Sequence, residues 1–71
     1  MYSNRKYGKV PTRSEQIAQL RNSGETPLFI TRTVFGLEPT REQYDFTIAV
    51  LAKHGVIVNP DYAEELWEGR K

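Results

Sequence analysis

The 71-residue chain contains no cysteine and only one histidine, His54. Without cysteine there is no disulfide, no thiolate metal site and no thiol nucleophile. A single histidine leaves no second imidazole for a typical zinc site. No apolar run approaches the roughly 18 residues of a membrane span, and the N-terminus lacks the apolar core of a signal peptide. These absences predict a soluble, cytoplasmic protein without a metal site.

Motifs for catalysis and nucleotide binding are also missing. The chain has neither a P-loop nor a G-x-G-x-x-G sequence. Ser14 or Ser23 could be combined with His54 and Asp45 as a nucleophilic triad, but no nucleophile-elbow motif surrounds either serine. A pocket large enough for a substrate would occupy much of the volume that a chain of this length can bury in its core. We therefore expect a non-enzymatic protein with no cofactor and no small-molecule substrate.

Charge is divided unevenly between the two parts of the chain. Residues 1–13 carry four basic side chains and no acid, whereas residues 14–71 carry six basic side chains and nine acids. The formal charges are therefore +4 and −3, which the net charge of +1 conceals. Four of the acids cluster near the C-terminus, at Asp61, Glu64, Glu65 and Glu68. Two patches of opposite sign favour a protein partner whose own charges fix the orientation of binding.

The N-terminal segment 1–11 has no helical or strand periodicity and contains Gly8 and Pro11. We predict a flexible basic arm over 1–11, followed by a single compact domain over 12–71. Tyrosines alternate with basic residues in this arm, as in segments that dock on acidic surfaces. The predicted partner-binding residues are Tyr2, Arg5, Lys6, Tyr7, Lys9 and Arg13. The alternative is a solvated terminus whose charges only confer solubility.

Helix-capping signals mark three helices. Thr40 and Gln43 form a capping box at the start of a central helix, and Gly55 is suited to the left-handed residue after its end. A second capping box, Thr12 with Glu15, predicts a first helix over 12–23. Asn59 and Pro60 are suited to the N-cap and first position of a last helix over 61–68.

Residues 25–37 are ambiguous. They are rich in β-branched and aromatic residues, which favours a strand that pairs with Val56–Val58. Thr26–Pro27 and Gly36 are equally suited to the start and end of a helix. The propensities favour an α+β fold of three helices, one of them central, with a short two-stranded β element. The alternative is an all-α, helix-turn-helix-like fold.

In the all-α alternative the central helix would be a DNA-recognition helix. Arg41 and Gln43 at its start are residue types that contact base edges. Glu42 and Asp45, however, fall at positions that should be buried and apolar, and the folded part is net negative. DNA is therefore the second choice of partner.

The arm sequence SNRKYGKVPTR followed by a compact core resembles the general plan of small phage-encoded regulators that bind host RNA polymerase. The resemblance implies a non-enzymatic transcription regulator in the host cytoplasm, which inhibits or redirects RNA polymerase by protein–protein contact through its arm. It implies Arg5, Lys6, Tyr7, Lys9 and Arg13 as first contacts. The alternatives are a small DNA-binding regulator and a phage structural or assembly protein.

Overall fold

The computed structural model describes residues 11–70, which form four α-helices. These are α1 (Arg13–Leu20), α2 (Pro27–Phe35), α3 (Arg41–Lys53) and α4 (Pro60–Glu68). Helices α1, α2 and α3 all pack against one another, and α4 packs against α2. Residues 11–70 contain no β-strand. None of the helices in this range is long and apolar enough to cross a membrane.

The predicted α+β fold is wrong, because residues 27–35 form a helix instead of a strand. Thr26 caps α2 by accepting a hydrogen bond from Phe29 N at 3.1 Å, and Pro27 occupies the first turn. Inside the helix the Thr31 hydroxyl donates to Pro27 O at 2.8 Å. The helix therefore provides a hydrogen-bond partner for the hydroxyl of a residue type that favours strands. One face of α2 is buried against its neighbours, and that burial outweighs a weak, context-dependent strand propensity.

The prediction of a second strand over Val56–Val58 is also wrong. These residues connect α3 to α4. Gly55 has a φ of 89°, as predicted for the residue after α3, and its N–H donates to Ala52 O at 3.0 Å. Val56 N–H donates to Leu51 O at 2.8 Å. This is the Schellman arrangement, in which the β-branched run closes the helix and Val56 packs on the core.

The predicted starts of the other three helices are confirmed. Both capping boxes are complete, and Asn59 Oδ1 accepts from Asp61 N at 2.8 Å. Helix α1 ends at Leu20, three residues before the predicted end. Capping depends on side chains within three residues of each other, which is why the sequence predicts it well.

Two clusters make up the core. Ile17, Ile30, Val50 and Leu51 join α1, α2 and α3, whereas Leu28, Tyr44, Ala63 and Trp67 join α2, α3 and α4. The Tyr44 and Trp67 rings stack with centroids 5.1 Å apart, and Tyr44 Oη donates to Ala63 O at 2.7 Å. The second cluster therefore attaches α4 to the other three helices.

Replacing Trp67 with Ala should lower the free energy of unfolding by about 3–5 kcal/mol, because it removes the largest ring of the second cluster. Urea unfolding followed by far-UV circular dichroism measures this loss. Glu65→Ala on the same helix is the control: its side chain is exposed, and we expect a change within about 0.5 kcal/mol. Equal effects of the two substitutions would contradict the role of the ring stack.

Burial raises the pKa of the Tyr44 phenol above its ordinary value of 10.0, an effect that nearby Arg41 partly opposes. The folded protein therefore holds this proton longer than the unfolded chain, so stability is complete below pH 10.0 and falls as the pH rises towards the folded-state pKa. Tyr44→Phe should cost about 0.5–1.5 kcal/mol at pH 7 through loss of the hydrogen bond. Chemical unfolding at several pH values should show this difference shrinking above pH 10, and a difference that stays constant from pH 7 to pH 11 would contradict it.

Candidate functional site

Arg13 is the one predicted partner-binding residue that lies within the described residues. The other five, Tyr2, Arg5, Lys6, Tyr7 and Lys9, lie outside them. Arg13 is the first residue of α1, directly after the N-cap Thr12, and it is exposed. Its guanidinium carbon lies 5.6 Å from the centroid of the Phe35 ring. The structure therefore places this basic residue beside an aromatic side chain.

An aromatic groove surrounds this contact. We give that name to the surface concavity of about 270 Å³ lined by Arg13, Phe35, Glu42, Gln43 and Phe46. The Phe35 and Phe46 rings meet edge to face, with centroids 6.1 Å apart and an interplanar angle of 81°. The Phe46 side chain remains 41% exposed. The groove thus combines an accessible aromatic surface, a cation at one side and a carboxylate at the rim.

The sequence pattern of α3 indicated only half of this arrangement. Phe46 and Val50 are four residues apart and project away from the main apolar stripe of the helix, a pattern typical of a helix that is covered on two sides. In the structure Val50 is buried with Ile17 and Ile30, whereas Phe46 remains half-exposed. Phe35 is the last residue of α2 and is followed by Gly36 at a φ of 126°. No sequence spacing predicts its encounter with Phe46 on another helix.

Arg41, at the start of α3, is surrounded by charged and aromatic side chains. Its Nε donates to Asp45 Oδ1 at 2.9 Å, and its Nη1 donates to Glu64 Oε1 at 3.2 Å. The guanidinium carbon also lies 5.7 Å from the centroid of the Trp67 ring. Hydrogen bonding to Glu64, and then to Asp45, raises the Arg41 pKa, and the same bond lowers the pKa of Glu64. Arg41 therefore links α3 to α4 on the surface.

These contacts bear on the DNA-binding alternative. Arg41 is engaged by two carboxylates, and Gln43 Oε1 accepts from Thr40 N at 2.9 Å as part of the helix cap. Both side chains that were candidates for base contacts are thus engaged in hydrogen bonds to neighbouring residues. Glu42 and Asp45 are exposed beside them. The start of α3 therefore presents acidic groups where a DNA-recognition helix requires positive charge.

Within residues 11–70, no side-chain hydrogen bond joins any two of the catalytic candidates Ser14, Ser23, Asp45 and His54. Asp45, the acid of the possible triad, accepts a hydrogen bond from Arg41. His54 is the exposed C-cap residue of α3. Across residues 11–70, no three His, Cys, Asp or Glu side chains converge on a position that could hold a metal ion.

A further cleft lies between the α2–α3 connection and the C-terminal turn. This C-terminal cleft, as we call it, has a volume of about 510 Å³ and is lined by Arg32, Leu37, Glu38, Pro39 and Arg70. Arg32 Nη2 donates to Arg70 O at 3.4 Å, a contact between residues 38 positions apart. Sequence reasoning missed this pair, because no local pattern relates two residues that lie so far apart in the chain.

The lowered pKa of Glu64 predicts a specific acid sensitivity. Because the folded-state pKa lies below the ordinary value of 4.5, the stabilisation by the Arg41–Glu64 pair is complete above pH 4.5 and is lost as the pH falls through the folded-state value. Wild type should therefore be more stable than Glu64→Gln near pH 7, and the two should converge in acid. Thermal unfolding from pH 3 to 7 tests this, with the exposed neighbour Glu65→Gln as control. A difference that does not change with pH would contradict it.

Comparison of the chain with protein-family models, with curated proteins and with solved structures found no match.

Proposed function

We propose that this protein is a non-enzymatic transcription regulator of the host cytoplasm that binds a larger protein, with RNA polymerase as the favoured partner. The aromatic groove is its docking site on the described part of the chain, and the basic arm extends the contact beyond Arg13. One observation carries the proposal. The Phe35–Phe46 pair, of which Phe46 is 41% exposed, lies beside Arg13 at the start of α1, directly after the predicted basic arm.

The side chains of the groove are suited to protein recognition. Aromatic residues and arginine are enriched in the energetically dominant part of protein interfaces. Phe46 offers apolar area that residues 11–70 leave uncovered. The ring of Phe35 orients the guanidinium of Arg13 through a cation–π contact, so its N–H groups can bind a carboxylate of the partner.

Charge complementarity specifies the partner further. Arg13 is the last of four basic residues in a segment with no acid. We infer a partner surface with an apolar side chain that enters the groove and acidic side chains along the path of the arm. Such a distribution speeds association and makes it sensitive to salt. RNA polymerase is favoured because the arm and compact core resemble regulators that bind this enzyme.

Phe46→Ala should weaken binding to purified RNA polymerase by at least tenfold, because it removes the exposed ring of the groove. Biolayer interferometry with the immobilised full-length chain measures the dissociation constant. Phe29→Ala is a matched control, since Phe29 is 49% exposed on α2 but does not line the groove. Far-UV circular dichroism should show that both variants remain helical.

Two further measurements distinguish polymerase binding from the DNA-binding alternative. Deleting residues 1–11 should abolish polymerase binding and leave the helical signal intact. Duplex DNA should not bind at 150 mM salt; steep, salt-dependent DNA binding that Phe46→Ala leaves unchanged would favour the DNA-binding alternative. Polymerase binding that neither the deletion nor Phe46→Ala weakens would contradict the proposal, as would a complete absence of binding.

A further inference from the structure

We propose that the C-terminal cleft is a binding site for a carboxylate with an apolar body, with Arg32 and Arg70 as the residues that hold the carboxylate. This site is separate from the aromatic groove and does not depend on the identity of the partner protein. It stands on the placement of the two guanidinium groups, on the absence of an ion-pair partner for them among residues 11–70, and on the apolar residues beside them.

Arg70 is held firmly enough to form one wall of the site. Its guanidinium carbon lies 3.7 Å from the centroid of the Trp67 ring, and its Nη1 donates to Trp67 O at 2.6 Å. Trp67 is itself fixed by its stack on Tyr44. A guanidinium positioned in this way loses little side-chain freedom when a ligand binds.

Arg32 forms the second wall of the cleft, and some of its guanidinium N–H groups lack a good hydrogen-bond partner. Its Nη2 makes a long contact of 3.4 Å to Arg70 O. Its Nε is shielded from solvent and has no hydrogen-bond partner among the described residues. A buried N–H without a partner is unfavourable. A carboxylate that draws the guanidinium into the cleft would satisfy it, since arginine presents its N–H groups in a fork that matches two carboxylate oxygens.

The two arginines are the cations of the cleft, and neither forms an ion pair within residues 11–70, where the ion pairs all belong to Arg41. Glu38 lines the same cleft, so the charge of its lining is +1. That charge matches a monoanionic carboxylate better than a phosphate dianion. Leu37 is 81% exposed and provides an apolar surface for the rest of the ligand, whereas Pro39, which also lines the cleft, is buried.

The test uses hexanoate as the probe and the intrinsic fluorescence of Trp67, the one tryptophan of the chain. Because Arg70 covers the Trp67 ring, a ligand bound between the arginines should change the emission. We expect a saturable change with a midpoint in the millimolar range at constant ionic strength. Hexanol should give no saturable change, and inorganic phosphate should require at least fivefold higher concentrations.

Three variants test whether the fluorescence response to hexanoate arises from binding in the C-terminal cleft. Arg32→Gln should weaken hexanoate binding at least tenfold, and Glu38→Gln should strengthen it several-fold by removing a like charge. Arg21→Gln, at an exposed arginine outside the cleft, should leave it unchanged. If Arg32→Gln loses its helical signal, the effect of Glu38→Gln decides the test. No saturable response to hexanoate, an equal response to hexanol, or no change in either cleft variant would overturn the proposal.

A second probe distinguishes the sources of the carboxylate. The dipeptide acetyl-Ala-Leu with a free C-terminus is compared with its amide. Tighter binding of the acid than of hexanoate by at least tenfold assigns the cleft to a protein C-terminus, and similar or weaker binding of the acid assigns it to free organic acids. Binding of the amide as tight as that of the acid would contradict carboxylate recognition.

Discussion

The contact between Tyr44 and Trp67 determines how the C-terminal third of the protein is arranged. Helix α4 packs its backbone only against α2, and it reaches α3 through side chains, chiefly the ring stack and the hydrogen bond from Tyr44 Oη to Ala63 O. Arg41 and Arg70 both lie over the Trp67 ring. One buried aromatic pair therefore supports the surface ion pairs at the start of α3 and also one wall of the C-terminal cleft.

The helix starts could be predicted from the sequence, and helix α2 could not, for a common physical reason. A cap such as Thr40 with Gln43 acts over three residues, so the information is local. In residues 27–35 the local information is divided between strand propensity and good helix ends. The choice is made by burial of Leu28, Ile30 and Thr31 against other helices, which a single sequence does not display.

The two proposed binding surfaces likewise combine local features that the sequence indicates with contacts that only the folded molecule forms. Charge asymmetry along the chain pointed to Arg13, and the structure places it beside Phe35. The aromatic groove itself depends on Phe35 and Phe46 meeting from separate helices, and the C-terminal cleft on Arg32 and Arg70 meeting across 38 positions. Such encounters are properties of the packed molecule. The sequence indicated only that Phe46 lies away from the main stripe of its helix.

Helix α2 also has a consequence for how this protein can lose its structure. Its residues favour an extended conformation when taken alone, and Val56–Val58, with Ile57 78% exposed, have the same preference. In the native molecule the two segments are kept apart by their roles as helix and connection. Once heat or a partner separates α1 or α4 from α2, both become free to pair as strands, within one chain or between chains. Partial opening of this small bundle would thus release two segments of strand propensity from the positions that keep them apart.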